Sequence, residues 1–334
     1  MSAVQSAFDR DTAVRRLAPA PAAPAAAVPA PAPGLAPAPA AAPAAPAPAR
    51  PEGAGEDGVA TLTAAEGALF EAEVSPEWST GRGPHGGYLA AMILRALVET
   101  VGDPTRAPRS LTIHYARAPR PGPVSIATTV ERAGRSLSTV SARMEQEGRL
   151  MALALSAFSV PWEAPELAEA PALPRVAGPD DARETSAQLL RVAPRFTRHL
   201  VLQPRIGAAP FQGSEAPMEV GAWLGTAEPR AIDALSLAFF SDALFSPPYI
   251  RLTTPAFTPT IDLTIHFRAH LPRAEVGDPR ELCFARFRST LVHEGFFEED
   301  GTIWAPDGTL LAQSRQLAIV MPIKPRPGEE ARGH

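Results

Sequence analysis

Four residues and an aromatic recur in this chain with the same neighbours: Leu111-Thr112-Ile113-His114-Tyr115 in the first half and Leu263-Thr264-Ile265-His266-Phe267 in the second, each followed closely by Arg and Ala. An apolar stretch of helical character precedes each copy, at residues 88–98 and 231–244, and strand-like runs follow, ending with residues 150–160 and 310–320. The chain therefore reads as a duplication whose unit is one helix followed by antiparallel strands. That order is α+β architecture, not a parallel nucleotide-binding fold. No Gly-rich phosphate loop follows a strand.

At 334 residues and 45% apolar content, the chain holds two ordinary domains or one large one with a substantial core. A formal charge of -5 argues against a nucleic-acid partner, which calls for a basic patch, and Lys324 is the only lysine. Cys283 is alone, so no internal disulfide forms, and its neighbours Leu282, Phe284 and Phe287 make it a packing residue on a strand. No run is long and apolar enough for a membrane span, and Asp9, Arg10 and Asp11 stand where a signal peptide needs an apolar core. The expected setting is reducing and cytoplasmic.

Residues 18–51 are almost wholly Ala and Pro. Proline removes backbone donors and fixes φ, and little here is large enough to bury, so a semi-extended tether is expected. Upstream, Phe8-Asp9-Arg10-Asp11-Thr12-Ala13-Val14 reads either as a short docking segment with Asp11 as a helix cap, or as part of a disordered region reaching to about Gly58. Further strands are expected at residues 68–74, 109–117, 124–132, 137–146 and 150–160, with a turn-rich loop at 81–87. After a Pro-rich connection at 162–181, the second unit reads as extended near 196–202 and 219–224, then helix, then strands near 260–269, 282–293, 295–304 and 310–320.

Four motifs in this order carry a family likeness: Pro84-His85-Gly86-Gly87-Tyr88 opening an apolar helix, Ser241-Asp242 in the second helix, Pro259-Thr260-Ile261-Asp262, and Leu311-Ala312-Gln313-Ser314-Arg315-Gln316. From about Gly67 to Met321 the chain resembles the acyl-CoA thioesterase II family, a double hot dog in which each of two repeats wraps a curved antiparallel β-sheet around a central helix. The resemblance implies hydrolysis of fatty or other acyl-CoA thioesters, with no metal or organic cofactor, by an Asp, a Thr or Ser, and a Gln. By motif these fall on Asp242, Thr260 and Gln316. It also implies association into a dimer or tetramer. With the repeat, it divides the chain into a mostly disordered region at 1–58, a first hot-dog repeat at 59–162, a linker at 163–192, a second repeat at 193–322 carrying the catalytic residues, and a disordered tail at 323–334. The Ala-Pro insertion and Ser246-Pro247-Pro248 depart from the family pattern.

The residues themselves bear on that chemistry. Thioester hydrolysis needs a water made nucleophilic by a base and held at the carbonyl carbon. At helical spacing Asp242 shares a face with Leu235, Ala238 and Phe239, so it lies partly buried or at a cleft, and desolvation raises a carboxylate's pKa. A solvated Asp near the helix end is the alternative. Gln316 shares strand parity with Ala312, Ser314, Ala318 and Val320. If buried, its amide needs partners, and either a bound water or the backbone would satisfy it. Thr260 falls on the polar face with Asp262 and Thr264, and only a bend at the strand start would turn it inward. The first unit carries Ser156 where the second has Gln316, and Pro108 where it has Thr260, so one active constellation is expected.

His85, Gly86 and Gly87 at a helix start are expected to offer backbone N–H groups and the helix dipole to a developing oxyanion. His85 as acid or base is the alternative, and His114 and His266 read as structural. His293 and Glu294 with His266 and His270 lack any metal-binding framework, so no metal is expected. Met92, Leu94, Phe239 and Phe245 are candidates for lining an acyl tunnel, and Arg82, Arg117, Arg120 and Arg273 for meeting coenzyme A phosphates. Two other function classes stay open: a non-catalytic acyl-CoA binder, and a hot-dog hydratase of enoyl-CoA using an Asp–His pair. A Ser-His-Asp hydrolase is disfavoured because no G-x-S-x-G elbow occurs.

Overall fold

The computed structural model describes residues 6–18, 66–269, 271 and 281–323. Nearly all of the Ala-Pro tether, the tail beyond Ile323, His270 and Arg273 lie outside the described residues. The chain opens with a short helix, α1 (Ala7–Asp11), and a strand, β1 (Val14–Ala18). Ser6, not Asp11, caps the helix, its Oγ accepting from Asp9 N–H at 3.1 Å. Asp11 is instead the last helical residue, and its carboxylate accepts from Trp78 Nε1 at 2.9 Å.

The first unit comprises β2 (Gly67–Val74), α2 (Gly86–Val101), β3 (Ala107–Tyr115), β4 (Gly122–Ala133), β5 (Leu137–Gln146) and β6 (Arg149–Ser159). A helix, α3 (Ala187–Val192), lies in the connection. The second unit holds β7 (Leu200–Ile206), β8 (Glu219–Thr226), α4 (Ala234–Phe240), β9 (Ala256–Phe257), β10 (Thr260–Phe267), β11 (Cys283–Arg288), β12 (Val292–His293), β13 (Phe296–Trp304), β14 (Leu310–Ile319) and β15 (Met321–Pro322). The run expected to be extended from 196 begins as a 3-10 turn, Arg195–His199.

One antiparallel sheet runs β1-β2-β4-β5-β6-β3-β10-β14-β13-β11-β8-β7, with β12 added beside β13. Read outward from its centre, the order is the same in both directions, as a duplication requires. The two copies of the repeated pentapeptide meet there: β3 pairs with β10, Thr112 opposite Thr264, and the two hydroxyls lie 3.1 Å apart. Beside this joint β3 pairs with β6 and β10 with β14, and the register shifts after Pro108 in one unit and after Thr260 in the other.

α2 is apolar on almost every face because it is enclosed by the sheet and by α4; residues 87–94, Ala96 and Leu97 are all buried. Gly102 closes it at φ 62°, a conformation that suits a residue without Cβ. α4 is shorter than the apolar run at 231–244 suggested. Asp233 sets its start through a capping box with Ser236, both bonds being 2.8 Å, and Ser241 ends it. The N-terminal segment ties the units together: Phe8 packs on Trp78 and Phe239, and Asp9 pairs with Arg95 of the first unit and Arg230 of the second. No helix among the described residues is long and apolar enough to cross a membrane.

Candidate active site

Strand parity sends Thr260 outward, and a bulge turns it back. Thr260 pairs with Ala318 and Asp262 with Leu317, so Ile261 is the extra residue between them. The Thr260 hydroxyl then donates to Gln316 Oε1 at 2.7 Å. Gln316 is buried, and its Nε2 donates to Glu299 Oε1 at 2.6 Å. Glu299, on β13 directly opposite Gln316, is itself only 3% exposed, and its Oε2 has no partner among the described residues. Burial pushes the Glu299 carboxyl up to about 8, with the Gln316 hydrogen bond pulling the other way and the charge of Asp242 adding to the rise. Glu299 had a sequence signal: it shares parity with Phe297, Gly301 and Ile303, an acid on the apolar side of a strand.

Asp242 stands just beyond α4, not inside it, in a turn closed by its N–H on Phe239 O at 3.3 Å. Its side chain is 17% exposed and reaches the other unit, where Oδ2 accepts from Gly87 N–H at 2.9 Å. Two glycines make the approach possible. A Cβ on Gly87 would lie 2.5 Å from Phe239 O, and one on Gly86 would lie 2.8 Å from Asp242 Oδ2.

His85 caps α2 with Nδ1, which accepts from Tyr88 N–H at 3.3 Å; the ring proton is then on Nε2, which donates to Asp242 O at 2.8 Å. Burial holds this imidazole below its ordinary pKa, against the pull of Asp242, so it is neutral and both nitrogens are committed. The expected oxyanion cradle also contracts. His85 N–H donates to Trp78 O and Gly87 N–H to Asp242, which leaves Gly86 N–H as the one of the three with no acceptor among the described residues. Tyr115, the last residue of the first pentapeptide and no site candidate from sequence, donates to Gly86 O at 2.9 Å. Burial and the nearby Asp242 charge raise its phenol well above the usual range. Its counterpart in the repeat is Phe267, so the one polar difference between the pentapeptides lies at this site.

Among the described residues no hydrogen bond joins Asp242 to Thr260 or Gln316. The first unit lacks the polar line altogether. Ser156 sits opposite Leu111 as Gln316 sits opposite Leu263, and donates to Ser110 O at 2.6 Å. Pro108 precedes the equivalent bulge, and buried Val140 faces Ser156 where Glu299 faces Gln316. His114 and His266 are exposed. Met92, Leu94 and Phe239 are fully buried whereas Phe245 is 38% exposed. Beside the Gly86 loop a cleft of about 400 Å³ opens between Ser75, Ser79, Arg82, Pro84 and Arg120.

Comparison with known proteins gives two family models, an acyl-CoA thioesterase N-terminal domain matching residues 74–159 and an acyl-CoA thioesterase C-terminal domain matching residues 168–320. An uncharacterised protein of Mycobacterium tuberculosis is 26% identical over 285 residues, covering 75% of this chain and 91% of that protein. Among solved structures, a hot-dog-fold protein of unknown function from Alicyclobacillus acidocaldarius superposes with a TM-score of 0.68 at 22% identity, covering 96% of this chain and all of that one. An acyl-CoA thioesterase II of Mycobacterium marinum superposes with a TM-score of 0.59 at 19% identity, over 77% of this chain and 94% of that one. These likenesses show the fold to be a double hot dog.

Proposed function

The chain belongs to the acyl-CoA thioesterase family, and from that premise we propose that it hydrolyses an acyl-CoA thioester to the free acid and coenzyme A, using Asp242 as general base with Thr260 and Gln316. Asp242 takes a proton from water as the water oxygen bonds to the thioester carbon. Gly86 N–H and the positive end of α2 stabilise the oxyanion that forms. When the intermediate collapses, the C–S bond breaks and the thiolate recovers the proton from Asp242. Thr260, already donating to Gln316, keeps lone pairs to accept from the attacking water. Arg82 and Arg120, flanking the cleft beside the Gly86 loop, suit the phosphates of coenzyme A.

What carries this reading is the meeting of Asp242 from one unit with the glycine-opened helix of the other, 2.9 Å from Gly87 N. The hydratase alternative finds its Asp–His pair here, with His85 Nε2 3.5 Å from Asp242 Oδ2, yet both ring nitrogens already hold the backbone. Asp242→Asn is the test. An amide oxygen can still accept from Gly87 N–H but cannot take the water's proton, so thiol release from saturated acyl-CoA esters should fall by about 10²-fold or more while acyl-CoA binding persists. A folded, fully active Asp242→Asn protein would end the mechanism. Loss of enoyl absorbance without thiol release would indicate a hydratase, and neither signal a binder. The same reading includes a cytoplasmic setting and association with further copies through the outer face of the sheet, where Leu153, Leu155 and Leu317 are exposed.

A further inference from the structure

At three equivalent places the second unit is more polar than the first: Thr260 for Pro108, Gln316 for Ser156 and Glu299 for Val140. The motif likeness accounts for Thr260 and Gln316, but nothing in it accounts for Glu299. A carboxyl enclosed by protein is costly, and the first unit shows that the same fold accommodates a buried valine at the equivalent place. The carboxyl therefore has an offsetting use, and its one hydrogen-bonding partner among the described residues is Gln316.

We propose that Glu299 is a positioning residue of the hydrolytic site, holding the Gln316 amide so that its Nε2 faces Glu299 and its Oε1 faces Thr260. The inference rests on the reading of Thr260 and Gln316 given above. An amide can turn over and exchange its two ends, and only its partners decide between them. When Glu299 is ionised both of its oxygens accept; when it is protonated on the unpartnered Oε2, Oε1 still accepts. The Gln316 N–H is directed to Glu299 in either form, at the observed 2.6 Å. Gln316 Oε1 is then an acceptor at 2.7 Å from Thr260, which makes the threonine hydroxyl the donor. Its lone pairs stay free for a water. Without Glu299 the amide turns over, competes as a donor for Thr260, and the direction of the chain is lost.

The experiment compares Glu299→Val, Glu299→Gln and Glu299→Asp, alone and with Gln316→Ala, by acyl-CoA thiol release, thermal melting and NMR of the Gln316 side-chain amide. Glu299→Val should lower kcat about tenfold or more, leave KM within about twofold, and keep or raise Tm, as Val140 indicates. Glu299→Gln, whose own amide can turn and donate to Gln316, should leave kcat lowered severalfold, and the shorter Glu299→Asp should as well. On top of Gln316→Ala, Glu299→Val should cost nothing more. Gln316 amide protons should exchange slowly in wild type and rapidly in Glu299→Val. Wild-type kcat in Glu299→Val or in Glu299→Gln, or additive losses in the double variant, overturns the proposal. Should Glu299→Val not fold, the Gln and Asp variants decide. The amide exchange reads the positioning even if no acyl-CoA is hydrolysed, so failure of the thioesterase reading and failure of this inference leave different records.

Discussion

Gln316 and Ser156 occupy equivalent places on β14 and β6, yet only Gln316 joins a polar line into the site, so the two should answer truncation differently. Gln316→Ala is expected to lower turnover at least about tenfold with Ser156→Ala within about twofold of wild type, both read by thiol release. Equal losses would mean that each unit has its own site. Glu299 sets a second expectation, on stability. Its carboxyl is ordinarily near 4.5 and stands at about 8 in the folded protein, so the folded state holds a proton that the unfolded chain has released. With more protons on the folded side, stability falls as pH rises from 4.5 towards 8 and levels off above. Urea unfolding at pH 5 and pH 8 should show a smaller drop for Glu299→Gln than for wild type, and an equal drop would contradict the assignment. Parity was enough to turn Gln316 inward from sequence. It failed for Thr260, because a bulge breaks the alternation on which parity rests.

Among the secondary-structure elements, α1 and β1 carry more than their length suggests. Phe8 is 2% exposed, lies within 5.8 Å of Trp78 and 5.6 Å of Phe239 by ring centroids, and is covered by the Arg230 guanidinium. Phe8→Ala should destabilise the protein by about 3–5 kcal/mol, measured by denaturant unfolding, because the aromatic core cannot collapse around the space. A change below about 1 kcal/mol would show that the segment merely rests on the surface. The docking segment is legible in its apolar and polar residues, but its cap is Ser6 where sequence alone points to Asp11. α4 was similarly overdrawn. Apolar composition alone extended it to 231–244, whereas the reciprocal Asp233–Ser236 bonds and the turn at Ser241 confine it to Ala234–Phe240. That early stop puts Asp242 on a turn, where its carboxylate can cross to α2.

For the molecule as a whole, the β3–β10 joint and the packing of α2 on α4 join the two repeats, which are expected to unfold as one cooperative body. Variants that retain only Trp78, in the first unit, or only Trp304, in the second, should therefore unfold with coincident midpoints in urea. Separate midpoints would show that the units are independent domains. The α+β class, the duplication and the helix-then-strands order were already determined by the sequence, because periodicity is local and the pentapeptide is repeated with its neighbours. So was the inequality of the two units, written in Pro108 against Thr260 and Ser156 against Gln316. Tertiary structure alone decided that Asp242 meets Gly87, 155 residues away, that Tyr115 holds Gly86, and that Glu299 backs Gln316 across a strand pair. These contacts depend on how the two repeats join and how one helix ends, and a hydrogen bond between distant residues leaves no periodic trace in either segment that makes it.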